Sequence, residues 1–486
     1  MVPKAPLRAG LWTAWLLILV PASMAQDAAK AAKPPEDPNP LKELTVSPAD
    51  VPTPALKYRL LPRPSDLNPG NAAPLYLRIR HEMTDPEPLK KIDKLSETLD
   101  QPMSEFPKEE VRGLVDSFSS RLKQLDFGAR RQTCDWAFSL PEQRQESINI
   151  LLPDTQEMRR WARLLALKIR VEVAEGKTDE ALRTIQTELA FGRHVSENPF
   201  LIGSLVGIAI EFVTLNRMEE LITQPGSPNL YWALTDLPRP LVDMRGPLSE
   251  EERFGENMIP ELNGIDGQHT PAEWAAILSK IYAGMVNLAR TMGGNEIPAS
   301  VKALSTQDVN AFRKSALADA KAYLRSSKGL TDDQIRVMSD DQVVATYIAG
   351  RYREVRDDIF KLSNLPFPEA LESYKGMEDR IKALKKGPLA VFVELFPSLL
   401  SARLSGARLD RTVSAYRVLE ALRIYAARHD GALPKALADV KEVTIPIDPI
   451  TGKAFDYKLQ GKSAVLFAPL TDNRPKTGIH WRITIR

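Results

Sequence analysis

The sequence predicts a mainly α protein: an irregular or repeat-like helical domain followed by a small C-terminal α+β module, a long helix packed on a short antiparallel sheet. Three observations carry this. Apolar residues recur at helical spacing from about residue 86 to 425. After GALPKALADV, beginning at Gly431, the spacing shifts towards two, as a half-buried strand requires. Cys134 is the one cysteine, so no internal disulfide can form and the fold rests on burial.

Residues 1–25 read as an export signal. Lys4 and Arg8 form a basic start, Leu11 to Val20 an apolar stretch, and Ser23-Met24-Ala25 a small-residue cleavage site. The stretch is short for a bilayer span, which needs about 20 apolar residues; the alternative is an uncleaved N-terminal anchor. Removing the signal takes away Lys4 and Arg8 and no acid, so 65 basic and 63 acidic residues become equal in the mature chain. A chain of zero formal charge without a long basic run gives no footprint for nucleic acid or anionic lipid.

Residues 26–75 form a proline-rich linker and arm, since the prolines from Pro34 to Pro74 forbid a long helix. The expectation is a mobile tether, DAAKAAKPPEDPNP, then an extended arm lying on the folded body. Residues 76–256 are expected to be a helical domain. Trp161, Leu164, Leu165, Leu167, Ile169 and Val173 mark one helix that stops at Gly176. Ala181, Leu182, Ile185, Leu189 and Phe191 mark the next, with Thr178 as its expected cap. FLIGSLVGIAIEFVTL, residues 200–215, is the most apolar internal run; Glu211 interrupts it, which favours a core helix over a span. Gly203 and Gly207 would let a neighbouring helix come close. Turn-formers in 257–270 open a second helical region to residue 400, where Pro397 should break PLAVFVELFPSLL.

Residues 401–486 form the C-terminal module. Val413, Tyr416, Leu419, Leu422 and Tyr425 make one helix face, with Gly431 beyond its end. AFDYKL, SAVLFA and IHWRITI are strand candidates, the first two joined through Gln460-Gly461-Lys462.

Three resemblances add to this reading. GKTDEALRTI resembles the turn and second helix of a tetratricopeptide-type hairpin, although no fixed repeat period is present. Tyr425, Gly431, Pro434, Asp448, Pro449 and Tyr457 follow in the order of the globular end of type II secretion pseudopilins. That resemblance implies the helix-on-sheet fold and not the assembly function, because pseudopilins begin with a polymerising apolar helix and this chain has a conventional signal. Some pseudopilins hold calcium in this region, yet Asp448 and Asp456 alone do not supply its six to eight oxygens. ALKYRLLPRPSDLNPGNAAPLYLR and QPGSPNLYWALTDLP, with the C-terminal segment, resemble an exported family of planctomycete-type bacteria. This implies export and organisation and no particular activity.

Chemistry-bearing motifs are sparse. His81, His194, His269, His429 and His480 form no His-Glu-x-x-His pattern, and His194 with Glu197 reads as a solvated helix face. Ser120 and Lys123 form a Ser-x-x-Lys string on a helix surface. Cys134, beside Trp136 and Phe138, reads as a small buried hydrophobe. No catalytic, cofactor-binding or metal residue is assigned. Two features rise above this background. Glu211 is either buried and protonated like a general acid, or paired with an arginine such as Arg217, or on an exposed stripe. SPNLYWALTDLPRP offers Asn229 as a cap and Tyr231 and Trp232 as an interaction surface if exposed, or a locked corner if buried.

The expected function is an exported, non-catalytic interaction or scaffold protein of the cell envelope, in the periplasm or outside the cell. Its expected partner is another envelope protein, with no nucleic acid and no membrane span after signal cleavage. The alternatives are an accessory part of a type II secretion or pilus-like system, and a hydrolase using buried carboxylates such as Glu211.

Overall fold

The structure, a computed structural model, describes residues 37–81, 86–136, 147–291, 306–384, 389–393, 396–470 and 477–486, with Lys302 and Leu304. The expected signal therefore lies outside the described residues, as does most of the expected tether. The chain forms two compact units: a body of residues 33–139, 146–247 and 403–486, and a second unit built mainly from residues 248–402.

The body starts with β1 (Lys42–Val46), β2 (Asn68–Asn71) and α1 (Ala73–His81). There follow α2 (Glu87–Ser96), α3 (Lys108–Ser117), α4 (Ser119–Ala129) and β3 (Arg131–Thr133), which pairs with β2. Its centre is α5 (Ser147–Ala174), α6 (Thr178–Ser196) and α7 (Leu201–Ile222), which pack on one another. The apolar positions read from the sequence on α5 and α6, from Trp161 to Phe191, are all buried. Each such side chain contributes roughly 1.5–3 kcal/mol by leaving water. Gly176, at φ 69°, closes α5 in the left-handed region that favours glycine. The turn is so tight that Lys177 becomes the cap position and Thr178 the first helical residue, without a side-chain cap bond. Thr178 is thus not the cap its type suggested.

α7 is a core helix, with 67% of its most apolar window buried. Gly207 faces the carbonyl of Gly192 and Ser196 on α6, where an added Cβ would sit 2.6 Å from both. The glycine permits the close helix crossing that the sequence suggested. Cys134 is buried, as expected of a small hydrophobe, and burial pushes its thiol pKa up. His194 is not on a solvated face: it is buried, and its Nδ1 shares a 2.8 Å hydrogen bond with the Tyr76 hydroxyl.

After α8 (Tyr231–Thr235), the short α9 (Arg245–Glu252) leads to the second unit. That unit holds α10 (Phe254–Met258), α11 (Pro271–Thr291), α12 (Val309–Lys328), α13 (Asp332–Arg336), α14 (Asp340–Ser363), α15 (Phe367–Leu384) and α16 (Ala390–Val393). Side-chain caps start several of these: Asp308 accepts from Ala311, Ser339 from Gln342, and Thr331 forms a reciprocal capping box with Gln334. A polar cleft of about 420 Å³ is lined by residues including Asp266, Lys328, Arg353 and Asp357. Pro397 falls in the first turn of α17 (Phe396–Arg428), so a new helix begins where the sequence predicted a break.

From Arg403 onward α17 belongs to the body, followed by β4 (Asp456–Gln460), β5 (Ser463–Ala468) and β6 (Ile479–Ile485). β4–β5 and β5–β6 are antiparallel, with Gly461 at φ 62° in the β4–β5 turn. The module packs as helix on sheet: Tyr416 of α17 stacks on Trp481 of β6 at 5.3 Å. Three strands were not foreseen: β2 and β3, which pair with each other, and β1. β1, from the segment read as arm, joins β6 in parallel and makes the sheet four-stranded, in the order β1-β6-β5-β4. Leu44 and Val46 point into the core while Glu43 and Thr45 stay exposed.

Candidate interaction site

The site at Asn229–Trp232 lies where three separate stretches of the body meet. α17 is buried on every side from Ala415 to Ile424, and it carries Arg411, Arg417, Glu420 and Arg423 in buried positions. An unpaired buried charge is very costly, so each must find partners. Arg423 Nη1 meets both oxygens of Glu420 at 2.9 and 3.0 Å. Its Nη2 donates to the Ser227 carbonyl and hydroxyl at 2.7 and 2.9 Å, and its Nε donates to the Ser47 carbonyl at 2.8 Å. One guanidinium therefore binds the N-terminal arm, the 227–228 loop and its own helix together. Burial raises the Glu420 carboxyl pKa, and the neighbouring Arg423 charge pulls it back.

Asn229 continues this tie. Its Nδ2 donates to the Glu420 carbonyl at 2.9 Å and to the Ala49 carbonyl at 3.2 Å. Its Oδ1 accepts from the Tyr231 N–H at 3.0 Å, an Asx turn leading into α8, although Leu230 holds the cap position. The Tyr231 hydroxyl donates to the Thr444 carbonyl. The Arg417 guanidinium lies 5.4 Å from the Tyr231 ring centre, and its Nε donates to Thr235 Oγ1 at 2.9 Å. Trp232 meets Tyr231 edge-to-face at 5.3 Å and is 37% exposed. Beside it Arg59 and Asp236 pair at 2.6 Å.

Of the residues singled out in the sequence, Asn229 and Tyr231 are thus buried ties and are closed to a partner protein; Trp232 alone of that trio presents surface. The cause is α17, whose buried polar groups need the Asn229 amide and Tyr231 hydroxyl inside.

No family model, no curated protein and no solved structure matches this chain.

Glu211 lies elsewhere in the body. It is fully buried on α7, and neither carboxyl oxygen has a hydrogen-bond partner among the described residues. Of the bland expectations for it, the exposed stripe and the Arg217 pair are overturned, and an arginine of a neighbouring helix, Arg193 of α6, acts on it only across space. The helix offers no exposed stripe at that point, and Arg217 is held instead by the Leu99 carbonyl at 2.5 Å and Glu220 at 2.9 Å. Burial drives the Glu211 pKa well up; Arg193 pulls it down and Glu188 pushes it further up. Glu188 on α6 is in the same condition, fully buried and unpartnered. Neither acid has exposed surface, so in this conformation neither can protonate a bound substrate as the hydrolase alternative requires. Among the described residues, no group of three or more His, Cys, Asp or Glu side chains is placed to hold a metal.

Sequence reasoning missed Glu188, Arg423 with Glu420, and Arg411 with Asp448. The last pair is bidentate, at 2.9 and 2.7 Å, so both Asp448 oxygens are engaged by one guanidinium. For the helical members a signal existed, a charge among apolar helix positions, as with Glu188 three residues after Ile185; Asp448 lies in a loop and gave none.

Proposed function

We propose that this chain is an exported, non-catalytic scaffold of the cell envelope that holds another envelope protein at Trp232. The observation that carries the reading is an exposed tryptophan on an immobilised base, with Tyr231 fixed by Thr444 and Arg417. Such a residue loses little freedom on binding, and tryptophan is among the commonest energetic anchors of protein interfaces. The signal pattern of residues 1–25 supports export, to the periplasm or beyond.

The test is a photo-crosslinking amino acid at position 232 in intact cells, with position 337, which is 86% exposed, as control. A discrete adduct with an envelope protein from position 232 alone is expected, on a mature chain beginning at Gln26. No adduct, the same adducts from both positions, or a cytosolic partner on an unprocessed chain would overturn the reading.

A second reading, an accessory role in a type II secretion or pilus-like system, draws support from one contact. Tyr457 donates its hydroxyl hydrogen to the Pro434 carbonyl at 2.8 Å, joining two of the positions that resemble a pseudopilin tip. The identity of the crosslinked partner separates the two readings.

A further inference from the structure

We propose that α6 and α7 form a proton-held latch: the hairpin folds with Glu188 and Glu211 as neutral acids, and loss of their protons loosens it. The idea stands on placement. The two carboxyls come from facing helices that cross closely at Gly192 and Gly207. Both are fully buried, and none of their four oxygens accepts a hydrogen bond among the described residues. Glu211 lies against the bare backbone of Gly192, where an added Cβ would come within 2.6 Å of Oε1. An ionised carboxylate in such a place loses its hydration and gains no donor in return, which costs several kcal/mol.

Among the described residues, the surroundings do not supply a counter-charge in contact. On the two helices themselves, Arg193 acts on Glu211 and Arg217 on Glu188, each too weakly to offset burial. Arg217 is already committed to Leu99 and Glu220. Thr214 faces Glu188, but its hydroxyl hydrogen goes to the Ile210 carbonyl at 2.9 Å. Thr214 is thus at most a shared donor to Glu188, lowering its pKa by less than burial raises it. From α5, Lys168 pairs with Glu172, and Arg170 with Glu220. From α4, Asp126 and Arg130 pair with each other beside Thr187. From α1, Tyr76 is bonded to His194. Each of these charges is occupied within its own pair.

The sign follows from linkage. A carboxyl whose folded pKa is raised binds its proton more tightly folded than unfolded. Its stabilisation is complete below the unfolded value near 4.5 and is lost as pH rises towards the folded value. Each such group lowers the folding constant about tenfold per pH unit inside that window. His194, pushed down to about 4 by burial, works in the opposite direction between about 4 and 6.5. The latch is therefore read most cleanly above pH 6.5.

The experiment is urea unfolding of the full mature chain from pH 5 to 8.5, for the wild type and for Glu188→Gln with Glu211→Gln. Glutamine imitates the protonated acid and cannot ionise. The wild-type folding constant should fall relative to the double variant as pH rises above 6.5, by up to about tenfold per pH unit for each acid still titrating. Infrared difference spectra of the wild type against Glu188→Gln and Glu211→Gln singly, at pH 6, should each show the loss of a buried protonated carboxyl carbonyl. This separates Glu188 and Glu211 from other raised acids such as Asp410 and also covers a double variant that fails to fold. A constant wild-type-to-variant ratio across pH, or difference spectra without that loss, would overturn the latch.

Discussion

Two regions of the body bury ionisable groups at equal depth and treat them in opposite ways. Along α17 the buried charges Arg411, Glu420 and Arg423 are joined to others: Arg423 to Glu420 and two distant backbone stretches, Arg411 to Asp448 and the Pro469 carbonyl at 2.7 Å. Between α6 and α7, Glu188 and Glu211 have no charged partner in contact among the described residues. The difference teaches that a protein interior has two means of admitting a carboxyl. It can surround the anion with donors, which fixes the geometry, or it can keep the proton, which makes the geometry depend on pH. The first ties β1, the 227–231 loop and the C-terminal sheet into one unit. The second leaves the central hairpin open to titration.

The largest expected effect breaks the paired side. Arg423→Met should destabilise the body by about 3–5 kcal/mol, because Glu420 and three carbonyls keep their burial and lose their donor. Thermal or urea unfolding reads this directly. Arg423→Met combined with Glu420→Leu should recover part of the loss, since no uncompensated anion remains. If the single and double variants are equally unstable, the guanidinium matters for its backbone contacts alone.

Asn229→Ala is expected to cost about 1–3 kcal/mol, by stranding the Ala49 and Glu420 carbonyls and the Tyr231 N–H. Unfolding by denaturant measures it, and a change below half a kilocalorie would show that water replaces the amide. Smallest of all is Trp232→Ala. With 37% of the residue exposed and no buried polar partner stranded, it should cost no more than about 1–2 kcal/mol, while the partner identified by the probe at position 232 is no longer co-purified with the alanine chain. Unfolding of that variant would return Trp232 to the core.

What the sequence made legible followed from periodicity. The helical body, the buried α7, the close glycine crossing and the β4–β5–β6 sheet all come from patterns within a single window of residues. What stayed hidden depends on distant partners. β1 is five residues between Pro40 and Pro48, too short for a period to declare itself, and its partner β6 lies at the far end of the chain. Tyr231 reads locally as either an exposed surface or a locked corner, because nothing in its own window reveals that Thr444 and Arg417 enclose it. Glu211 looked as though Arg217 should answer it, and only the fold shows Arg217 turned to Leu99. Charges inside an apolar stripe were the available clue to both regions, and they mark burial without saying which partner, if any, is present.

The contrast is tested most directly by amide hydrogen exchange at pH 5 and pH 8, corrected for intrinsic rate, comparing α6–α7 with α17 and β6. The account predicts that protection of α6–α7 falls at the higher pH while α17 and β6 hold theirs, and that Glu188→Gln with Glu211→Gln removes the difference. Equal protection of both regions at both pH values would contradict it.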